Sequence, residues 1–186
     1  WVEPGDLDLP GYKPTTEPNP KMVQQASSLI KKSKKPILYV GGGIIHSKAN
    51  NELFELATKF NIPVVTTLMG RGAFPDGHEL CLEMPGMHGN YTATTSIQNA
   101  DLLIAIGVRF DDRVTANPSF FAQNAKVIHA DIDPAEIGKV RDAQVPIVGD
   151  AKSVIKGLIE ALGDAKLATE NWVSELKEMK TEFPLS

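Results

Sequence analysis

Short, nearly unbroken apolar runs alternate along this chain with longer amphipathic stretches, and that alternation restricts the fold more than any other feature of the sequence. The runs are Pro36-Ile-Leu-Tyr-Val40, Ile62-Pro-Val-Val-Thr66, Leu102-Leu-Ile-Ala-Ile106, Lys126-Val-Ile-His-Ala130 and Val145 to Val148. A strand that is apolar at every position is covered on both faces, and strands separated by helices point to a parallel sheet between two helical layers. The intervening stretches carry helix marks. Asn19-Pro20 reads as an N-cap and first helical position, followed by Val23, Ala26 and Ile30 at helical spacing. Leu53, Leu56, Ala57 and Phe60 form an i, i+3, i+4, i+7 face. A helix is expected from about Tyr91 to Asn99, and Val154, Ile155, Leu158, Ile159 and Leu162 line one face after Gly149-Asp150. Trp172, Leu176 and Met179 mark a last amphipathic helix, against the body or in the tail. Asp133-Pro134-Ala135-Glu136 has the residues of a capping box and predicts a further helix opening there. The expected fold is α/β, a doubly wound, mostly parallel, Rossmann-like sheet.

Size and charge narrow the function classes. At roughly 150 residues per domain, 186 residues make one globular unit with tails. Five of the 13 prolines fall within the first twenty residues, in a stretch without apolar periodicity that begins at Trp1. This predicts an interdomain linker over 1–18, a central domain over 19–163, a C-terminal helix and linker over 164–186, and a piece of a longer polypeptide. A net charge of −4 lacks the basic excess that a phosphate backbone demands, so no nucleic-acid partner is expected. No apolar run approaches the ~20 residues needed to span a bilayer, so no membrane partner is expected either. The single cysteine, Cys81, allows no internal disulfide and fits a reducing, cytoplasmic setting.

In an open α/β sheet the ligand lies beyond the carboxyl ends of the strands, so the strand-end loops are where function is sought. The first reads Gly41-Gly42-Gly43, where backbone approaches closely to something; either a ligand phosphate or a tight strand-to-helix turn satisfies that. The dinucleotide pattern G-x-G-x-x-G fails at His46, and the tip of the next strand carries Thr66-Thr67 rather than an acid, which disfavours NAD. The second half supplies an acid instead: Asp131 lies 24 residues beyond Gly107, a nucleotide-like spacing. Of only four arginines, Arg109 and Arg113 fall together at one strand end, where a planar fork suits a phosphate or the edge of an electron-rich ring. The plainer alternative is a surface network with Asp111 and Asp112. Gly149-Asp150 closes the last strand, with Asp150 either capping the next helix or accepting from an adenine amino group. Leu68 to Asn90 holds five glycines and three methionines without periodicity, and is a candidate binding loop. His46, His78, His88 and His129 are scattered, so no metal site is expected, and no G-x-S-x-G nucleophile elbow is present.

Thr66-Thr-Leu-Met-Gly-Arg-Gly-Ala-Phe-Pro75, Pro85-Gly-Met-His-Gly89, Gly107-Val-Arg-Phe-Asp-Asp-Arg-Val114 and His129-Ala-Asp-Ile-Asp-Pro-Ala-Glu-Ile137 together resemble the central domain of the acetohydroxyacid synthase (acetolactate synthase) family of thiamine-diphosphate enzymes. The resemblance implies FAD as the cofactor of this domain, largely structural in the main reaction. By the same resemblance Gly41, Gly42, Gly43, Thr67, Leu68 and Met69 run along the flavin nucleotide. Gly86, Met87, His88 and Gly89 match the flavin loop. Gly107, Val108, Arg109, Asp111, Arg113 and Val114 match the stretch touching the isoalloxazine and its linker. Asp131 and Ile132 match the adenosine ribose position, and Gly149 and Asp150 the adenine end.

The resemblance also implies a transferase that condenses two 2-ketoacids, pyruvate with pyruvate or 2-ketobutyrate, in branched-chain amino acid biosynthesis, with thiamine diphosphate and Mg²⁺ on the flanking domains. None of the Gly-Asp pairs, Gly5-Asp6, Gly149-Asp150 and Gly163-Asp164, opens the family's diphosphate motif, so this chain carries no catalytic residue of its own and is not competent alone. The implied partners are the flanking domains of the same chain and further copies in a homodimer or tetramer, with a regulatory subunit as a candidate. The alternatives are a structural scaffold domain, or the ADP-binding central domain of another thiamine-diphosphate enzyme. A freestanding flavin or NAD oxidoreductase lacks a proton-donor constellation here.

Overall fold

The computed structural model describes residue 11 and residues 13–184. The expected linker over 1–18 and the pair Gly5-Asp6 therefore fall largely or wholly outside the described residues, as do the last two residues of the C-terminal segment. Chain order is α1 (Pro20–Lys32), β1 (Pro36–Val40), α2 (Gly42–His46), α3 (Asn50–Phe60), β2 (Val64–Thr66), α4 (Tyr91–Asn99), β3 (Leu102–Ile106), α5 (Asp112–Thr115), β4 (Lys126–Asp131), β5 (Val145–Val148), α6 (Ala151–Leu162) and α7 (Glu170–Glu182).

All five strands are parallel, in the order β2-β1-β3-β4-β5. Alternate side chains of β1 to β4 feed two cores, while β5 gives Val145 and Ile147 to the first and exposes Pro146. Leu38, Val40, Ile104, Ile106 and Ile128 pack with α1, α3 and α6, while Ile37, Tyr39, Leu103, Ala105 and Val127 pack with α4 and α7. Each such aliphatic side chain removed from water contributes roughly 1.5–3 kcal/mol. α7 joins the second core: Trp172 is 2% exposed and its indole N–H donates to Pro36 O at 3.2 Å.

Local chemistry sets the element ends. The Asn19 side chain accepts from Lys21 N with Pro20 at the first helical position, and the Asp150 carboxylate accepts from Lys152 N and Ser153 N at the start of α6. Asn61 ends α3 in the left-handed region at φ 52°. The strand expected from Ile62 begins at Val64: Pro63 has no N–H to give, though its carbonyl accepts the first β1–β2 ladder bond from Leu38 N. Asp101 ties the α1–β1 turn to the start of β3, accepting from Ser33 Oγ and from the backbone N–H groups of Lys34 and Lys35.

The helix expected at Asp133-Pro134-Ala135-Glu136 is absent; residues 134–138 form turns. Asp133 does accept from Ala135 N, but Glu136 turns its carboxylate to Lys139 rather than back to the cap. Gly138 at φ +77° then stops the turn, and beyond it only Val140 and Ala143 are apolar before β5, too few to make a helical face. Most of Leu68–Asn90 is also more ordered than its composition suggests. Phe74 and Leu80–Leu82 are buried, and residues 80–83 run beside β2, with Val64 N donating to Leu80 O and Thr66 N to Glu83 O, covering the sheet edge.

Candidate functional site

Where the strands end, one row of backbone hydrogen bonds continues the ladder across the sheet: Thr67 N to Val40 O, Gly41 N to Ile106 O, Gly107 N to Ala130 O and Gly149 N to Asp131 O. The loops that leave these rungs are therefore anchored at their first residue. The strand order reverses direction between β1 and β3, which is the switch point where an open α/β sheet parts its loops and leaves a crevice. A cleft of about 720 Å³ opens there, within the range of small-molecule sites.

Its floor is glycine for two different reasons. A Cβ on Gly43 would sit 2.6 Å from Gly107 Cα, and one on Gly41 would overlap Gly107 O, so these two residues let β1 and β3 loops cross in contact. Gly107 takes the turn at φ +61° that makes the crossing. Gly42 has no such neighbour; its Cβ would make ordinary contact with Met69 Cβ at 3.4 Å, and Gly42 and Met69 both line the cleft.

The walls differ in charge. Arg109 lines the cleft and makes no side-chain hydrogen bond or ion pair among the described residues. Among the described residues neither arginine forms an ion pair with Asp111 or Asp112: Asp111 caps α5 through Arg113 N at 3.1 Å, with both guanidinium charges nearby. That N–H, together with Asp112 and the nearby charges of Arg113 and Arg109, holds the Asp111 carboxyl below its usual value. Asp131, Asp133 and Glu136 line the same cleft. Burial pushes the Asp131 carboxyl up, while the N–H of Asp133 at 2.9 Å works against that shift. The cleft thus offers a cation over a glycine floor and a carboxylate wall that accepts hydrogen bonds, an arrangement suited to a ligand with an anionic centre and a hydroxyl-rich end.

Of the residues expected at the site, Gly42, Gly43, Met69, Gly107, Arg109, Asp131, Ile132, Gly149 and Asp150 line this cleft. Gly41 and Val108 are buried behind it, and Thr67 caps the turn over Leu68–Gly70 by accepting from Gly70 N. A second group gathers around α5. Gly86 lies against Arg113 O and Val114, Met87 N donates to Arg113 O at 3.3 Å, and Gly89 packs on Met84 and Pro85. Met87 and His88 are exposed there, as is Leu68 at the β2 tip.

His46, Ser47, Ala130, Asp133, Glu136 and Ala151 also line the cleft and were not anticipated. His46 and Ser47 lie four residues after Gly42 and Gly43, so helical spacing from the glycine turn was the available signal. Asp133 and Glu136 were read as helix caps, which hid them. The described residues contain no group of three or more His, Cys, Asp or Glu arranged to hold a metal, and no helix long and apolar enough to cross a membrane.

Residues 23–158 match the family described as thiamine pyrophosphate enzyme, central domain. The chain is 53% identical to the acetolactate synthase large subunit of Corynebacterium glutamicum over 99% of its own length and 30% of the relative's. It is 54% identical to an acetolactate synthase of Mycobacterium avium, covering 98% of the chain and 30% of that protein. A third relative, from Arthrospira platensis, is 48% identical over 96% of the chain and again 30% of the relative. The chain therefore spans about 30% of the length of the curated relatives it matches.

Proposed function

Because the chain belongs to the family of thiamine pyrophosphate enzyme central domains, we propose that it is the central domain of an acetolactate synthase and that its cleft holds FAD. The observation that carries the cofactor reading is Arg109, an unpaired guanidinium facing a glycine floor at the β1/β3 switch point. Arg109 would bind the diphosphate over Gly42, where a side chain would intrude. Asp131 would accept from ribose hydroxyls, and Gly149 with Asp150 would face the adenine end. The exposed Met69 and Met87 offer soft, polarizable surface for a flat ring.

A bound flavin would supply a redox-capable ring, and its role in the main reaction would be largely structural. The complete enzyme would condense two 2-ketoacids on thiamine diphosphate and Mg²⁺ held by flanking domains, with oligomeric copies and a regulatory subunit as its partners. The residues of this chain orient the cofactor and exclude water beneath it; they hold no reacting proton.

Calorimetric titration with FAD, beside ADP and NAD, tests this. FAD is expected to bind most tightly, and Arg109→Ala to lose about 10- to 100-fold in affinity, the range of a charge-assisted contact, while Lys21→Ala on the exposed face of α1 leaves it unchanged. Equal affinity of the two variants refutes the role of Arg109. Tighter ADP binding favours the ADP-type domain, and no FAD binding by either the chain or a full-length enzyme carrying it removes the cofactor assignment.

A further inference from the structure

Of the four histidines only His129 is buried, at 0% exposure on β4. Its Nε2 lies 2.8 Å from Val108 O. A carbonyl can only accept, so Nε2 carries the proton and Nδ1 is left as a bare acceptor; Nδ1 is buried without a partner. An apolar residue would avoid that cost, so the Nε2 bond is where an explanation for a histidine is to be sought.

Val108 is the second residue past the end of β3. The last ladder rung is Gly107 N to Ala130 O, after which Gly107 at φ +61° turns the chain off the sheet. His129 reaches across from β4 and supplies one further rung by side chain. Its ring also meets Phe110 edge-on, 5.0 Å between centroids at 87°. Phe110 is 2% exposed yet sits at φ +52°, a conformation costly for a residue with a Cβ, and it is gripped further by Tyr39 and Phe121 at 5.7 and 6.1 Å. Arg109 is thus the exposed residue between two buried anchors, and His129 touches both.

Resting on the FAD reading, we infer that His129 is a positioning residue: through the Val108 carbonyl and the Phe110 ring it holds the strained turn after β3 so that Arg109 points into the cleft toward the anionic part of the nucleotide. His129 itself stays behind the sheet and touches no ligand.

Two variants beside the unsubstituted full chain test this: His129→Gln, which keeps an N–H donor, and His129→Phe, which fills the space without one. Long-range ¹H–¹⁵N spectra of the unsubstituted chain are expected to show His129 protonated at Nε2. Without nucleotide, amide exchange at 109–113 is expected to quicken at least ~10-fold in His129→Phe and less than ~3-fold in His129→Gln, with β1 and β3 unchanged. FAD affinity should fall about 10-fold in the Phe variant and be largely kept by Gln. An Nδ1-protonated ring, unchanged loop exchange in the Phe variant, or equal loosening by Gln and Phe overturns the inference. If the Phe variant does not fold, the tautomer and the Gln variant still decide. Failure of the unsubstituted chain to bind FAD counts against the cofactor reading alone, since loop exchange is measured without nucleotide.

Discussion

Replacing each of two adjacent glycines by alanine should separate packing from binding at the β1 turn. Gly42 and Gly43 both lie in α2 and would gain the same ~0.5–1 kcal/mol of helix propensity from a methyl group. At Gly43 the new Cβ would sit 2.6 Å from Gly107 Cα, and both partners are backbone, so the β1 and β3 loops must separate by most of an ångström. Overpacking of that kind costs about 1–3 kcal/mol, and stretching the Gly43 N to Gly107 O bond, already 3.3 Å, adds roughly 0.5–1 kcal/mol. The net loss for Gly43→Ala is therefore about 1–3 kcal/mol. At Gly42 the nearest atom is Met69 Cβ at 3.4 Å, which a slight shift accommodates, so Gly42→Ala should be neutral or slightly stabilising. In urea, with m near 2–3 kcal/mol per molar, Gly43→Ala should unfold earlier by roughly 0.3–1.5 M. Nucleotide affinity should behave oppositely, falling several-fold in Gly42→Ala, whose methyl enters the cleft, while its urea midpoint stays put. Coincident midpoints for the two variants would refute the crossing argument. Unchanged affinity in Gly42→Ala would refute the placement of the ligand.

Two further outcomes concern stability. Burial lowers the His129 imidazole below its ordinary 6.5, despite its bond to Val108 O, so the unfolded chain binds more protons just below that value and stability should fall as pH drops through 6.5. The slope approaches ~1.4 kcal/mol per pH unit, and thermal melts between pH 7 and 5 should show it in the unsubstituted chain and lose that component in His129→Gln; parallel curves would refute it. Asp101→Ala should cost about 2–3 kcal/mol in urea denaturation, since it frees Ser33 Oγ and two backbone N–H groups at once; a loss below ~0.5 kcal/mol would show that water replaces the carboxylate.

The sheet was legible because burial on both faces leaves a strand no choice but apolar residues. Pro36–Val40, Tyr91–Asn99, Leu102–Ile106 and Val145–Val148 match their expected bounds, and Asn19 and Asp150 cap as their side chains predict. Signals that need only neighbours in sequence survive folding well when the tertiary environment does not oppose them. Asp133-Pro134-Ala135-Glu136 shows the reverse. Its cap chemistry is genuine for one turn, but a cap cannot make a helix without an apolar face behind it, and Gly138 ends the attempt.

The site was legible as a set of loops rather than as a surface. Gly107, Arg109 and Asp131, singled out in the sequence by their position at a strand end, lie along one cleft, because the ladder anchors the loops that leave the strands. Sequence cannot distinguish the two kinds of glycine in Gly41-Gly42-Gly43, since only the crossing with Gly107 reveals which are filled by backbone. Nor can it show that Arg109 is unpaired, because that depends on Asp111 turning inward to cap four residues of helix. Asp111 and Asp112 follow Arg109 closely in sequence, and the guanidinium is left free of Asp111 because that carboxylate caps α5 instead. Here the Asp111 cap, the glycine crossing and the His129 rung all hold backbone, and the Arg109 side chain keeps no hydrogen bond or ion pair among the described residues.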